Sequence, residues 1–344
     1  MQATTVGIDL AKNVFQIHGV DARGRTVLAK QLRRGQVRDF FARLPACRIG
    51  LEACGSAHYW ARELTRLGHD VRLMAPQFVK PYVKTNKTDR ADAEAICEAV
   101  GRPNMRFVPV KSAHQQAVLA LHRVREARIK ARTAQSNQIR GLLGEFGIAL
   151  RQGLATLYRE VPQVLEDGEN GLPDVFRELL GDLLERLRAL DAEVKALEGR
   201  IKAWHREHPI SRRLEQVPGI GPVTASALVA SIGDARWFAN GRQLAAWLGL
   251  VPRQHSSGGK ENLLGISKRG DRYLRMLLIH GARSALCADA RREAGADQWL
   301  AGLRERRCAN IAAVALANKN ARIVWALMAH DRDYQPDYTR QGAA

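Results

Sequence analysis

The sequence lacks the features that define membrane and disulfide-rich proteins. No apolar run approaches the roughly 20 residues of a membrane-spanning helix, and the N-terminus leads into a strand pattern without a signal peptide. The five cysteines are scattered and include no C-x-x-C pair, which excludes a disulfide framework or a cysteine zinc site. These absences predict a cytoplasmic protein with reduced, buried thiols and no membrane partner.

Acidic residues are also in short supply. The chain has 54 Lys and Arg against 35 Asp and Glu, a net charge of +19 and a pI of about 10.3. Because the excess positive charge is spread along the whole chain, it favours a nucleic-acid partner over a merely soluble basic protein. A length of 344 residues allows two or three domains.

The first hundred residues predict an α/β layer fold with a mixed sheet. Three alternating segments joined by short turns indicate antiparallel strands, and later apolar segments alternate with helical patterns. The predicted strands span 4–10, 14–20, 26–30, 48–53 and 70–74, and the predicted helices span 37–44, 57–67 and 89–100.

Four acids in this region form a candidate metal site. Asp9 and Glu52 each stand in an apolar strand, and Asp89 and Asp92 share one face at the start of a helix. An unpartnered carboxylate in a buried strand is costly, so convergence of the four on two Mg²⁺ or Mn²⁺ ions explains them together. The alternative is that the strand acids face solvent and that Asp89 and Asp92 only complement the dipole of a helix capped by Thr88.

Cations surround the second acid pair. Lys84, Lys87 and Arg90 would let a polyanion approach these carboxylates, and a divalent metal commonly lies between such groups. We therefore treat these three residues as candidate nucleic-acid contacts.

The middle of the chain, 111–208, predicts two long helices. The first, from 112 to 146, is strongly basic, which fits either a helix along a phosphate backbone or a solvated charged face. The second has apolar residues in steps of three and four, which is typical of a coiled coil; these are Leu180, Leu183, Leu187, Leu190, Val194, Leu197, Ile201 and Trp204. We expect this seam to serve self-association, with an antiparallel hairpin against the first helix as the alternative.

The last third begins with a glycine-rich turn between two helical patterns. Gly219 and Gly221 stand in the sequence P-G-I-G-P. The pattern is similar to a helix-hairpin-helix, in which such a turn binds the DNA backbone through main-chain N–H groups. An ordinary interhelical turn is the alternative.

A Ser-Ser-Gly-Gly segment then stands among cations. Ser256 and Ser257 precede Gly258 and Gly259, and composition alone predicts a phosphate-binding loop here, although Ser-Gly pairs also occur in plain turns. The candidate nucleic-acid contacts around it are Arg253, Lys260, Lys268, Arg269, Arg272 and Arg275.

These motifs together resemble the DEDD insertion-sequence transposases, the Piv-like, insertion-sequence one-ten family. The matching segments are G-I-D-L-A-K at Asp9, G-L-E-A-C-G-S at Glu52, K-T-D-R-A-D-A-E-A-I at Asp89 and Asp92, G-L-V-P-R, S-S-G-G-K and I-S-K-R-G-D-R-Y-L-R. The resemblance implies an N-terminal RNase H/RuvC-like domain and a nucleophilic serine at Ser257, with Ser256 as the fallback. It also implies a dimer or tetramer in the bacterial nucleoid, double-stranded donor and target DNA, and a structured non-coding bridge RNA that guides the choice of DNA.

The predicted organisation is a RuvC/RNase H-like domain (1–110), a basic helix and coiled-coil connector (111–208), a mainly helical serine domain with the helix-hairpin-helix (209–330) and a flexible tail (331–344). The predicted function is a DNA transposase or recombinase that acts through a serine–phosphate intermediate, assisted by metal-bound carboxylates. A junction-resolvase type of metal-dependent nuclease and a non-catalytic architectural protein are the alternatives.

Overall fold

A computed structural model describes residues 2–84, 86, 88–291 and 298–336. The chain divides into two compact units, Met1–Gln116 and Ala117–Ala344, and each has hydrophobic cores of its own. This division does not resolve the four segments expected from the sequence, so the boundaries at 110, 208 and 330 stay predictions.

The first unit contains a six-stranded mixed sheet. Its strands are β1 (Thr5–Leu10), β2 (Val14–Val20), β3 (Thr26–Arg33), β4 (Arg48–Glu52), β5 (Asp70–Met74) and β6 (Phe107–Val108). The strand order is β3-β2-β1-β4-β5-β6, with β1, β4 and β5 parallel and the other neighbours antiparallel. The prediction of an α/β fold with a mixed sheet is confirmed.

Helices cover both faces of this sheet. They are α1 (Val37–Arg43), α2 (Ala57–Arg66), α3 (Pro76–Val79) and α4 (Asp89–Val100), with 3-10 turns at Arg34–Gln36 and Lys80–Tyr82. Because side chains alternate along a strand, Ile8 and Leu51 face the buried residues of α1 and α2, such as Phe41 and Trp60. The other face carries α4.

Two glycines let α4 lie directly on the sheet. A Cβ on Gly7 would overlap the carbonyl oxygen of Ala93 and the backbone of Cys97. A Cβ on Gly50, which is paired with Gly7 across β1 and β4, would lie 3.1 Å from the carbonyl oxygen of Ile96. The two strands therefore leave a groove without side chains, and α4 fills it backbone against backbone.

The second unit is mainly helical. Its helices are α5 (Ala113–Gly144, whose first residues belong to the first unit), α6 (Leu154–Glu166), α7 (Asp174–Glu207), α8 (Pro209–Glu215), α9 (Pro222–Ile232), α10 (Gly241–Trp247), α11 (Arg272–Asp289), α12 (Gln298–Arg306) and α13 (Ala309–His330). A 3-10 turn spans Ala235–Trp237, and the hairpin of β7 (Pro252–Gln254) and β8 (Leu263–Ile266) precedes α11. The expected helical C-terminal region is confirmed.

The heptad seam of α7 is buried within the chain. Leu180 and Leu187 of the predicted seam belong to one core with Ile139 and Leu143 of α5. Between them Leu184, which was not predicted, is buried, whereas Leu183 is only partly buried. This is the antiparallel alternative raised by the sequence. Self-association stays a prediction, but this part of the seam, being buried internally, does not support it.

Ion pairs join α5 to α7 and explain part of the basic character of α5. Arg125 pairs with Glu198 at 2.5 Å, and Arg128 pairs with Glu193 at 2.5 Å. Arg132 pairs with Asp191, which is largely buried. Residue numbers rise along α5 as their partners' numbers fall along α7, so the helices run antiparallel. These three arginines contact carboxylates, which gives them a structural role; contact of α5 with a phosphate backbone stays a prediction.

The first residues of the expected flexible tail are attached to the second unit. Arg213 of α8 pairs with Asp331, and its Nε lies 3.1 Å from Asp333. The backbone N–H of Tyr334 donates to the side chain of Gln216 at 3.3 Å. The remainder of the predicted tail, 337–344, lies outside the described residues.

Across the described ranges, no helix combines the length and the apolar character needed to cross a membrane.

Candidate active site

Asp9 and Glu52 lie side by side where two parallel strands end. The register of β1 and β4 pairs Ile8 with Leu51, so the next residue on each strand carries a carboxylate. Alternation along the strands turns both carboxylates towards the α4 face of the sheet, and both residues are half-buried. Asp9 and Glu52 are therefore neighbours at this edge of the sheet, and convergence of all four acids on a metal stays a prediction.

Cys54 lies close enough to both carboxylates for their charges to change the pKa of its thiol. Partial desolvation raises the pKa of its thiol, and the negative charges of Glu52 and then Asp9 raise the pKa further. The residue is exposed, as are Cys287 and Cys308, so the expectation that all the cysteines are buried was wrong for these three. Cys54 stands two residues after Glu52, the acid at the end of β4, and this spacing is the sequence signal that could have placed it at the same edge of the sheet.

Asp89 and Asp92 occupy the first turn of α4. Thr88 Oγ1 accepts a hydrogen bond from the backbone N–H of Ala91 at 3.2 Å, which confirms the predicted N-cap. Asp89 is exposed and Asp92 is half-buried.

The direction of α4 places its first turn at the edge of the sheet that carries Asp9. Cys97 Sγ lies 3.5 Å from the carbonyl oxygen of Thr5, at the start of β1, whereas Ala93, one turn earlier in α4, lies against Gly7. Helix and strand therefore run antiparallel, and Asp89 and Asp92 lie towards the carboxyl ends of β1 and β4.

The four acids share an edge of the sheet without forming a closed site. Within residues 2–84, 86, 88–291 and 298–336, no three His, Cys, Asp or Glu side chains stand close enough together to hold a metal ion. Carboxylate oxygens are nevertheless the donors that Mg²⁺ and Mn²⁺ prefer. The donor set therefore fits a hard cation, with Asp9 and Glu52 already adjacent and Asp89 and Asp92 on the helix that covers them.

The three predicted cations near α4 have different environments. Lys84 pairs with Glu98 at 2.8 Å, and the hydrogen bond that Lys84 donates to Glu98 raises the pKa of this lysine. Arg90 is exposed, as expected for a nucleic-acid contact. Lys87 lies outside the described residues.

The two candidate serines lie at the tip of the β7–β8 hairpin. Gly258 and Gly259 both have positive φ, +56° and +78°, which is the pattern of a two-residue type I′ turn. Ser257 and Lys260 close this turn through a 3.1 Å backbone hydrogen bond. The glycines are therefore explained by hairpin geometry, and no backbone-binding role is needed to account for them.

The side chains of the two serines differ in their contacts. Ser256 Oγ accepts from the backbone N–H of Asn262 at 3.4 Å across the hairpin. Both serines are exposed, so this hydrogen bond of Ser256, and not exposure, separates them. This difference is the first structural distinction between the two candidates.

Most of the predicted cations around the hairpin are exposed; they are Arg253, Lys260, Lys268, Arg269 and Arg272. Arg275 is the exception, since it is only 9% exposed. Its Nη1 donates to the carbonyl oxygens of Leu248, at 3.0 Å, and Arg269, at 2.9 Å. Arg275 therefore holds the segment before α11 in place, and we do not include it among the phosphate contacts.

The glycine-rich turn between α8 and α9 is tightly packed. A Cβ on Gly219 would lie 2.6 Å from the carbonyl oxygen of Gly281 in α11, and Gly219 has φ +89°. Gly221, the N-cap of α9, has no heavy atom within 4 Å of such a Cβ. Gly219 is thus required by packing and by its backbone conformation, and only Gly221 lies where a ligand backbone has room.

A buried histidine ties α11 to α5 and α9. His122 is 1% exposed, and its ring nitrogens lie 3.1 Å from Tyr273 Oη and 3.1 Å from Ser226 Oγ. Burial, followed by the charge of Arg125, lowers its pKa to about 4. Neutral His122 therefore anchors Tyr273, which directly follows the basic segment after the hairpin.

Comparison with known proteins agrees with this arrangement. Residues 6–148 match the family model of DEDD-type IS110 transposases, and residues 211–296 match that of the IS116/IS110/IS902 transposase family. These two ranges contain the acid-bearing sheet with α4 and the serine hairpin.

Full-length relatives carry the same description. A "Probable family 20 transposase" of Pseudomonas aeruginosa is 57% identical over 337 residues, 98% of this chain and 100% of that one. The transposase of insertion sequence IS1111A of Coxiella burnetii is 44% identical over 96% of this chain and 91% of its own. That of IS1328 of Yersinia enterocolitica is 43% identical over 94% of this chain and 96% of its own.

These matches define the protein as a transposase, an enzyme that cuts and rejoins DNA. The chain belongs to the IS116/IS110/IS902 family of insertion-sequence transposases. Membership implies DNA substrates and, for a DEDD-type enzyme, dependence on a divalent metal in general.

Proposed function

We propose that this transposase cuts and rejoins DNA through a covalent ester of Ser257, with Mg²⁺ or Mn²⁺ held by Asp9, Glu52, Asp89 and Asp92. The observation that carries the proposal is the placement of both chemical groups. Two carboxylates end adjacent parallel strands under an acid-bearing helix, and an exposed serine lies at a hairpin tip among exposed cations.

The reaction at the serine needs no reactant other than the DNA. Ser257 Oγ attacks a DNA phosphorus and loses its proton, one phosphodiester P–O bond breaks, and the released DNA end leaves as a hydroxyl. Attack by the hydroxyl of the exchanged DNA end on the serine ester then restores the phosphodiester and the free serine. The energy of the broken bond is kept in the ester, so rejoining needs no nucleotide cofactor.

Ser257 is preferred over Ser256 on hydrogen bonding as well as on motif position. Ser256 Oγ accepts from Asn262 across the hairpin, and one of its lone pairs is thereby used. Ser257 stands directly before the Gly-Gly turn; both serines are exposed to an incoming phosphate.

Exposed cations would bind and neutralise the phosphate under attack. Positive groups near the developing charge of a phosphoryl transition state stabilise it. On the hairpin these are Arg253 and Lys260, and the segment that leads into α11 adds Lys268, Arg269 and Arg272. Gly221 and Arg90 are proposed as further backbone contacts.

The acids at the sheet edge would hold the metal. A bound divalent ion supplies Lewis-acid stabilisation of phosphate oxygens. Asp9 and Glu52 would provide adjacent oxygen donors, and Asp89 and Asp92, in the first turn of α4, would complete the set. A RuvC-like classification of this sheet is part of the proposal.

The family resemblance supports three further parts of the proposal. They are a structured guide RNA that selects donor and target DNA, a dimeric or tetrameric working unit, and DNA-backbone binding by the helix-hairpin-helix at α8–α9. The net charge of +19 is consistent with two kinds of nucleic-acid partner.

The separate roles of the serines and of the metal-binding acids are tested with four proteins: wild type, Ser257→Ala, Ser256→Ala and Asp9→Asn. Each is incubated with Mg²⁺, co-purified RNA and DNA carrying the element ends, and both strand cleavage and joined product are measured. We expect Ser257→Ala and Asp9→Asn to lose both products by at least about a thousandfold, by analogy with the loss of a nucleophile elsewhere. Ser256→Ala is expected to retain activity within about tenfold.

Two results would redirect the proposal. Normal cleavage by Ser257→Ala, with loss only in Asp9→Asn, would indicate a metal-dependent nuclease in which the serine merely binds phosphate. Loss in Ser256→Ala but not in Ser257→Ala would move the nucleophile by one position.

A further inference from the structure

An exposed tryptophan stands on the second unit, away from the serine hairpin in sequence. Trp237 is 55% exposed, whereas the next residue, Phe238, packs on the core of the unit and against the ring of Trp247 at 5.5 Å. Aromatic side chains of this size contribute most when buried. Trp237, which stays in solvent, therefore does not contribute the stabilisation from burial that Phe238 contributes.

The loop that presents Trp237 is held rigidly. Trp325 Nε1 of α13 donates to the carbonyl oxygens of Ala235, at 3.2 Å, and Phe238, at 2.9 Å, on either side of Trp237. Asp234 Oδ1 accepts from the backbone N–H of Arg236 at 2.9 Å and caps the 3-10 turn. A loop whose backbone is held in this way loses little conformational entropy when a partner binds it.

Two exposed arginines stand on the elements next to this loop, α10 and α13. Arg242 follows in the first turn of α10, and the backbone of Gly241 touches that of Arg322, 2.9 Å from a Cβ placed on the glycine. Both arginines are exposed. Asp234, the acid of the loop, already pairs with Arg236 at 2.8 Å, so the positive charge of Arg242 and Arg322 is in excess.

An exposed aromatic ring with exposed arginines on the neighbouring elements matches the chemistry of an unpaired nucleotide. Single-stranded nucleic acids bind through bases that stack on aromatic rings while cations contact the backbone, whereas the bases of an intact duplex are stacked on each other. We propose that Trp237 is a stacking site for one unpaired nucleobase, with Arg242 and Arg322 on the adjoining phosphates. The proposal requires nucleic-acid binding and is independent of the serine and metal chemistry.

The test uses the full chain and defined oligonucleotides: single-stranded DNA, single-stranded RNA, and a blunt DNA duplex of the same sequence. Binding is measured by fluorescence anisotropy for wild type, Trp237→Ala and Trp237→Phe. We expect Trp237→Ala to weaken single-strand binding by about tenfold, Trp237→Phe to retain most of the affinity, and duplex binding to change by less than about twofold. Whether DNA or RNA shows the larger loss identifies the strand that supplies the base.

A matched control and a direct contact measurement complete the test. Trp299 is also partly exposed, at 37%, but Lys319 Nζ lies over its ring, 4.1 Å from the centroid, so Trp299→Ala should leave single-strand affinity unchanged. Photo-crosslinking with single-stranded probes that carry one 5-iodouracil should yield a peptide modified at Trp237. Equal losses for single-stranded and duplex probes, no loss in Trp237→Ala, or adducts only elsewhere would overturn the proposal.

Discussion

Replacing Gly7 by alanine tests how closely α4 packs on the sheet. The new Cβ would overlap the carbonyl oxygen of Ala93 and lie 2.8 Å from Cys97 Cα, and both are backbone atoms that cannot rotate away. To restore ordinary contact, α4 must retreat by roughly 1 Å. Overpacking of this kind costs about 1–3 kcal/mol, and we expect Gly7→Ala to lie near the upper end because a whole helix must move.

The assay is hydrogen exchange of the full chain, followed by mass spectrometry of peptides from β1 and α4. Local exchange is measured because a chain with two compact units is not described by a single free energy of unfolding. Gly7→Ala should lower the free energy of opening of α4 by about 3 kcal/mol. Gly35→Ala is the matched control, since a Cβ there has no heavy atom within 4 Å. If the free energy of opening of α4 in Gly7→Ala stays within about 0.5 kcal/mol of the wild-type value, the proposed close contact between α4 and the sheet is refuted.

Three further predictions concern the second unit. The pKa of His122 is about 4 against an ordinary 6.5, so the unfolded chain takes up this proton first as the pH falls. Stability is then lost between pH 6.5 and about 4 by up to about 3 kcal/mol, and His122→Gln should flatten that part of the thermal-unfolding profile. Arg132→Ala leaves the largely buried Asp191 without one of its cations and should weaken protection of α7 by about 1–3 kcal/mol. Gly281→Ala should destabilise α11 by about 1–3 kcal/mol, because its Cβ would overlap the carbonyl oxygen of Gly219.

Each of these predictions has a control and a contrary result. Superimposable pH profiles for wild type and His122→Gln would contradict the first. Arg128→Ala removes an exposed pair and should cost less than about 1 kcal/mol; an equal loss would contradict the second. Gly199→Ala, in open space on α7, should stabilise its helix by about 1 kcal/mol, and stabilisation by Gly281→Ala as well would contradict the third.

Local patterns sufficed to predict five of the six strands, all but the two-residue β6, and the edge at which the acids lie. Alternation marked the strands, and Thr88 followed by Asp89 marked the start of α4, because capping and strand periodicity depend on neighbouring residues. The adjacency of Asp9 and Glu52 followed once β1 and β4 were parallel neighbours. The roles of Ser257 and of the metal stay predictions.

Features that depend on distant contacts were not predictable in this way. The sequence could not show that Gly7 accommodates α4 or that Gly219 packs on Gly281, because each contact joins segments far apart in the chain. The burial of Arg275 likewise depends on carbonyl groups that α11 meets only in the folded unit. The type I′ turn at Gly258 was different, since two consecutive glycines between short strands are a readable hairpin signal.

The most direct test of the central claim is the identity of the residue that becomes attached to DNA. The full chain is incubated with Mg²⁺, its RNA and DNA carrying the element ends, the mixture is denatured, and the nucleotide-bearing peptide is sequenced by mass spectrometry. We expect a phosphodiester adduct on Ser257 that is absent in Ser257→Ala and undiminished in Ser256→Ala. Cleaved DNA without any protein adduct would contradict the serine mechanism.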